Sequence, residues 1–415
     1  MHAVTESSRR LLRNLNWVFS ANAIAGVANL LAIAWFARTL GPVTMGEYAS
    51  VVTAVQLVVA FLSAGFDQAV IRMPGDPEVA GAAAMATVLQ SLLLVLGSAV
   101  VYLVFFFQSP VEARGLAGPA AVILTAIIVS IFSYLIAAPI AAELDYRFLA
   151  LSRLVATAAG IGSGVAMAMQ GHELYSLALR DALTAVVMLA LCWWRAGAGL
   201  RWRTTRDGFR RLFVFAKGLW ALNLTERLVH RLDHGIVGLL LGKEVLGAYF
   251  VVRGLVEGIL GFLVNPIQTV LFTHYCRLEQ GGAASRMPGH RLIVGYVLAC
   301  AGAALLAWAI GTDLLTRLLG GAYSGMGVIL PSLVIYAGAI LWFENEKVRA
   351  MARLRHQGVV LARMVQIVLY LLSIFPAIHF FGVGGAGAAT AAAGVALALA
   401  ATWIAWRKGG HVPDR

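Results

Sequence analysis

No Asp, Glu, Lys or Arg stands between Ala80 and Phe107, nor between Leu116 and Ala142. Runs of that length have few ways to fold. Coiled as a helix at about 1.5 Å per residue, either run spans roughly 40 Å, more than the ~30 Å hydrocarbon layer of a bilayer. Twelve apolar runs of this kind follow one another, approximately at 15–38, 47–70, 80–107, 116–142, 152–170, 174–194, 213–241, 245–275, 292–311, 323–343, 358–381 and 383–406. None alternates apolar and polar residues as a barrel strand does. Helices, which satisfy their backbone within each crossing, are therefore expected throughout. The predicted fold is an all-α polytopic membrane protein with about twelve transmembrane helices.

Composition agrees. The chain is 60% hydrophobic and 13% charged, whereas a soluble domain carries about 25% charged residues. That excludes a soluble enzyme, a disordered chain and a nucleic-acid-binding module, despite a net charge of +12. The first run is too long for a cleaved signal and continues into the fold. Cys192, Cys276 and Cys300 form no CxxC pair and predict neither a disulfide framework nor a zinc site.

The basic residues set an orientation. With the N-terminus in the cytoplasm and twelve crossings, 22 of the 32 Lys and Arg, Arg72 and Arg153 among them, fall in cytoplasmic segments and four (Arg38, Arg114, Lys243 and Arg317) outside. This asymmetry places both termini in the cytoplasm. Dropping one span would swap the later loops and destroy it.

The chain also repeats itself at an offset of 201 residues. Leu40-Gly41, Gly46 and Tyr48 recur as Leu241-Gly242, Gly247 and Tyr249, so both copies read LGxxxxGxY. The same offset carries Asn22 onto Asn223 and Glu143/Asp145 onto Glu344/Glu346. Six helices per copy give both copies the same orientation, a parallel repeat. The expected organisation is an N-terminal lobe at 1–194, a basic cytoplasmic linker at 195–212 and a C-terminal lobe at 213–415.

The repeat assigns one ambiguous stretch. Residues 223–234, NLTERLVHRLDH, look too polar to cross a membrane, yet they align with the first span and so belong inside the seventh. Each charge at that depth costs about 2.5–3.5 kcal/mol on insertion scales. On a helical wheel, Asn223, Glu226, Arg227, His230, Arg231, Asp233 and His234 occupy an arc of roughly 160°. Such a face wants a hydrated cavity rather than lipid. The eighth span adds Arg253 and Glu257 at i,i+4, and the sixth adds the neighbours Arg180 and Asp181. Asn22 and Asn29 share a face of the first span. Lys217 and Arg363 are expected to snorkel towards the interface.

A surplus of buried cations calls for an anionic ligand, and guanidinium offers paired donors to phosphate. The candidate substrate-binding set is Arg180, Arg227, Arg231 and Arg253 with the amides Asn22, Asn29 and Asn223. Asp181, Asp233 and Glu257 are candidates for ion coupling. Internal ion pairs and interhelical amide bonds are the structural alternatives for the same residues. There is no nucleotide-binding GxxxxGK[ST], no HExxH and no GxSxG, so no enzyme activity and no cofactor are expected. The i,i+4 pair His230 and His234 encloses Arg231 and Asp233, which disfavours a metal.

Several segments resemble the polysaccharide flippases of Wzx type in the multidrug/oligosaccharidyl-lipid/polysaccharide (MOP) exporter superfamily. They are Arg13–Asn16 entering the first span, LGPVTMGEY at 40–48, GFDQAVIR at 65–72, LLGGAYSGMGVILPSLV at 318–334 and KVRAMARLRHQ at 347–357. The resemblance implies two six-helix lobes around a V-shaped central cavity in a bacterial inner membrane. It implies alternating access that flips an undecaprenyl-pyrophosphate-linked oligosaccharide to the periplasmic leaflet for O-antigen or exopolysaccharide synthesis. Membrane lipids, a polysaccharide polymerase and a chain-length regulator are the partners it implies. An ion-coupled multidrug exporter and a lipid II flippase of the same superfamily are the alternatives.

Overall fold

A computed structural model of the chain describes residues 2–73, 75–143, 145–196, 204–280, 290–352 and 356–407. Residues 197–203 of the linker and the C-terminal segment 408–415 lie outside the described residues. The elements are α1 (His2–Leu62), α2 (Phe66–Arg72), α3 (Pro77–Gln108), α4 (Pro110–Ala142), α5 (Tyr146–Met169), α6 (Glu173–Ala196), α7 (Arg206–Leu241), α8 (Lys243–Gln280), α9 (His290–Leu319), a 3-10 helix (Gly321–Ile329), α10 (Leu330–Ala352) and α11 (His356–Arg407). Among the described residues there is no strand.

Eight helical segments of the described chain are long and apolar enough to cross a membrane. Two of them, Ser20–Leu62 and Gln357–Ile404, are 43 and 48 residues long, about twice what one crossing requires. Each is divided by a glycine with a left-handed backbone, Gly41 at φ 77 and Gly382 at φ 56. The divided helices supply two crossings each. Helix α7, with its polar stretch at 223–234, and helix α8 complete twelve. The chain is thus an all-α, multi-pass membrane protein, with the last break at the residue between the two final apolar runs.

One boundary differs from expectation. The second run was expected to reach residue 70, but α1 ends at Leu62. Residues 63–65 are non-helical, Gly65 adopts φ 70, and the short α2 follows. A side chain at Gly65 would crowd the Asn223 amide and Leu219 of α7, so this turn is shaped by its neighbour rather than by hydropathy.

The chain divides into two compact units. The first comprises Met1–Ala32 and Glu47–Leu228, the second Ile33–Gly46 and Val229–Arg415. Helix α1 therefore gives its two ends to the first unit and its middle, 33–46, to the second, while α7 gives one stretch to each. In the first unit α6 packs against α4 and α5, α3 packs on α4, and α2 packs between α3 and α4. Its core beneath α2 is built from small residues, Ala69, Ala82, Ala83 and Ala84, with Val79, Leu135, Ala138 and Leu212. Small side chains let these backbones approach closely where lipid gives no hydrophobic drive. In the second unit α10 packs against α8, α9 and α11.

The LGxxxxGxY repeat has a structural reason. Its first glycine breaks the helix in both copies, Gly41 at φ 77 and Gly242 at φ 85. Its second glycine is a crossing point within the second unit. A Cβ on Gly46 would run into the Lys243 carbonyl, and one on Gly247 into the Pro42 carbonyl. The two copies of the motif meet there backbone to backbone.

The described end of the linker is fastened to the first unit. Arg211 bonds Asp76 at 2.6 Å and Glu78 at 2.7 Å, while Thr205 donates to Glu78 at 2.8 Å. Asp76 also caps α3 by accepting from the Glu78 and Val79 amides. At the other end of the linker Arg195 pairs with Asp145 at 3.1 Å. These two arginines thus hold protein carboxylates.

Candidate functional site

Two adjoining cavities in the first unit are lined by polar and charged side chains. The larger, about 460 Å³, is lined by Asn22, Asn29, Asp67, Tyr134, Arg153, Arg180 and Asp181 among others. The smaller, about 310 Å³, is lined by Gln56, Asp67, Thr87, Gln90, Tyr134 and Arg227 among others. Both include Asp67, Ser130 and Tyr134, so the two adjoin. Their walls come from α1, α2, α3, α4, α5, α6 and Arg227 of α7.

Within the larger cavity Arg153 donates to the side-chain Oδ1 of Asn22 at 3.2 Å. Arg180 donates through Nε and Nη2 to one oxygen of Asp181, at 3.1 and 2.9 Å. The Tyr48 hydroxyl donates a short hydrogen bond to the other oxygen. The Arg180 side chain is 17% exposed and that of Asp181 31%, so both remain within reach of a ligand. Thr184, one turn on, donates to the Arg180 carbonyl at 2.7 Å. Asn223 stands against Gly65, and the Trp220 indole donates to the Phe61 carbonyl at 2.8 Å.

The second unit treats its charges differently. Arg253 and Asp233 form an ion pair whose side chains are 2% and 1% exposed. Arg253 also donates to Glu257 at 2.8 Å and to the Tyr249 hydroxyl at 2.9 Å, and it stacks over the Tyr336 ring at 5.1 Å. Tyr249 in turn donates to Asp233 at 3.0 Å, and the His234 amide donates to Asp233 at 2.8 Å. His230 faces Glu257 at 3.4 Å. This is a closed network in which donors and acceptors answer one another.

The sequence-derived candidates are therefore distributed between the units. The structure brings Asn22, Asn29, Arg180 and Asp181 together in one cavity and puts Arg227 in the adjoining one. Arg253, Asp233 and Glu257 belong to the second unit's network. Arg231 lies half-buried in the second unit, three residues past the boundary in α7. The polar face of α7 is continuous along the helix, but the units divide it at 228/229. Arg153, assigned from sequence to a cytoplasmic loop, proves to be a cavity residue, and Tyr134 and Asp67 join it. Its place four residues before Thr157, on the same face of α5, was the available signal. Arg363 does not snorkel: it is 1% exposed, stacks 4.3 Å over the Phe343 ring and donates to Gln366 at 3.0 Å. Lys217 is exposed. Among the described residues no group of three or more His, Cys, Asp or Glu is arranged to hold a metal ion.

Several solved transporters share this fold. A lipid II flippase, MurJ, in an inward closed conformation superposes with a TM-score of 0.74 at 11% identity, covering 93% of this chain and 86% of that one. An inward-facing multidrug resistance transporter of the MATE family gives 0.67 at 14% identity, covering 95% and 98%. A MOP superfamily transporter from Pyrococcus furiosus, described as having a binding pocket of reversed polarity, gives 0.66 at 12% identity, covering 96% and 95%. The fold is that of a MOP superfamily transporter. No curated protein sequence matches the chain. Residues 35–328 match the model of the polysaccharide biosynthesis protein family. That is well over half the chain, and the chain belongs to this family, in keeping with its sequence resemblance to the Wzx-type flippases.

Proposed function

We propose that the protein flips a polyprenyl-pyrophosphate-linked oligosaccharide from the cytoplasmic to the periplasmic leaflet of the bacterial inner membrane, by alternating access, with both termini in the cytoplasm. The observation that carries this reading is the larger cavity of the first unit. It sets two guanidinium groups, Arg153 and Arg180, beside the amides of Asn22 and Asn29 and the hydroxyl of Tyr134. Guanidinium suits the pyrophosphate, and amides with an aromatic hydroxyl suit a sugar. Arg227 in the adjoining cavity supplies a third cation. Arg253 is already held by two carboxylates, Asp233 and Glu257, so it serves the second unit's architecture in this reading and phosphate recognition rests on the first unit. Family membership supports a lipid-linked polysaccharide precursor as the class of cargo.

The test is translocation of a fluorescent polyprenyl-diphosphate oligosaccharide in proteoliposomes, followed by quenching from outside. Replacing Arg153 or Arg180 by Gln removes charge-assisted bonds worth about 1.5–3 kcal/mol each and should slow flipping by at least about tenfold. If both variants insert normally and flip at the parent rate, the reading is wrong. Lipid II, which shares the diphosphate, is the second cargo to compare, because the MurJ fold likeness is substantial. A cationic drug is the third; faster export of the drug than of either lipid would favour the exporter alternative.

A further inference from the structure

The tyrosine of each LGxxxxGxY copy ends on an aspartate held by an arginine. In the first unit Tyr48 donates to Asp181, which Arg180 holds; in the second Tyr249 donates to Asp233, which Arg253 holds. The tyrosines are repeat mates. The acid and base partners are not, because Arg180 and Asp181 come from α6 whereas Asp233 and Arg253 come from α7 and α8. The two triads also differ in access. The Arg253 and Asp233 side chains are 2% and 1% exposed, while those of Arg180 and Asp181 are 17% and 31% exposed and line a cavity.

We infer that Asp181 is an internal stand-in for the cargo phosphate: it occupies the Arg180 guanidinium while the cavity is empty and yields it when a diphosphate enters. This deepens the proposed function and rests on its reading of the cavity.

Three observations carry it. First, Arg180 and Asp181 are neighbours in one helix, and neighbouring helical side chains leave the axis about 100° apart. Arg180 must fold back to reach Asp181. It then spends two N–H groups on a single oxygen, because Tyr48 holds the other. A phosphate offers a guanidinium two oxygens at once, the better match for its planar fork. Second, the charges lining the larger cavity cancel: Arg153 and Arg180 stand against Asp67 and Asp181. An empty cavity with uncompensated guanidinium groups at membrane depth would be costly. Third, Asp181 keeps the Tyr48 hydroxyl as a partner when Arg180 leaves, so the displaced carboxylate is not stranded. Competition of this kind lowers affinity for the cargo and so permits its release, as turnover demands.

The test measures binding of inorganic pyrophosphate and of farnesyl diphosphate to the full-length protein in nanodiscs. Asp181→Asn keeps an acceptor for Tyr48 but removes the charge that competes for Arg180. Its affinity for both ligands should rise about tenfold or more, while flipping slows because release is delayed. The double variant Asp181→Asn with Arg180→Gln should bind no better than Arg180→Gln alone. Asp67→Asn changes the cavity charge equally without touching Arg180 and should tighten binding less. If Asp67→Asn tightens it as much as Asp181→Asn, or if Asp181→Asn binds like the parent while Arg180→Gln binds weakly, the inference is overturned and the cavity reading survives. If Arg153→Gln and Arg180→Gln both bind like the parent, the cavity reading itself has failed. Asp181→Ser removes the same charge and gives the same readout should the Asn variant fail to insert.

Discussion

Replacing Arg253 by Ala should unfold the second unit at a markedly lower temperature without any ligand being involved. The Asp233 carboxylate is 1% exposed and would lose its guanidinium partner. It would keep the Tyr249 hydroxyl at 3.0 Å, the His234 amide at 2.8 Å and the His234 ring Nδ1 at 2.9 Å. None of these replaces the fixed charge of the guanidinium. Breaking one side of a buried pair costs about 3–5 kcal/mol. Glu257, 36% exposed and still 3.4 Å from His230, adds about 1 kcal/mol or less. At about 2–4 °C per kcal/mol for a unit of this size, melting should fall by on the order of 10 °C. The assay is tryptophan fluorescence on heating in detergent micelles, after insertion has been verified. Joining Arg253→Met to Asp233→Leu removes both charges and should restore most of the loss. A single variant that melts within about 2 °C of the parent, or a double variant no better than the single, would refute the account of a buried pair on which the network depends.

Two further outcomes follow from the backbone and the charge pattern. Gly46→Val and Gly247→Val each push a side chain into a facing carbonyl and should cost upwards of about 3 kcal/mol. Gly41→Ala, with open space around it but φ 77, should cost only about 1–2 kcal/mol; melting curves of the three would separate crowding from backbone strain. In a background lacking Cys192, Cys276 and Cys300, cysteine at Arg114 should react with an impermeant maleimide added outside intact cells. Cysteine at Arg72 should react only after permeabilisation, and the reverse result would invert the proposed topology.

Helix number and helix breaks were legible because both depend on local chemistry. An uncharged run must cross, and a glycine between two runs can take the left-handed backbone that ends a helix, as Gly41, Gly242 and Gly382 do. The polar arc on α7 was legible too, from spacing alone. Its partners were not. Periodicity says which side of a helix is polar, but not that Asp233 meets Arg253 and Tyr249 in one unit while Arg227 lines a cavity in the other. Arg153 was misjudged for the converse reason: charge counting treats an arginine at a helix end as a topological marker, whereas its stem carries it to Asn22. Arg363 was misjudged because snorkelling assumes an outward-facing stem. An aromatic ring and a carboxamide on the inner side of α11 and its neighbour α10 hold it instead.

The glycine crossing has a consequence for how such a duplicated protein ages. A change at Gly46 is felt by the partner turn at Gly247, and a change at Gly247 by the turn at Pro42. Neither copy can drift alone there, whereas the arginines and aspartates that meet Tyr48 and Tyr249 were free to be recruited from different helices. Ancestry therefore stays visible at the seam where the twins touch, and it fades where each has taken on its own work.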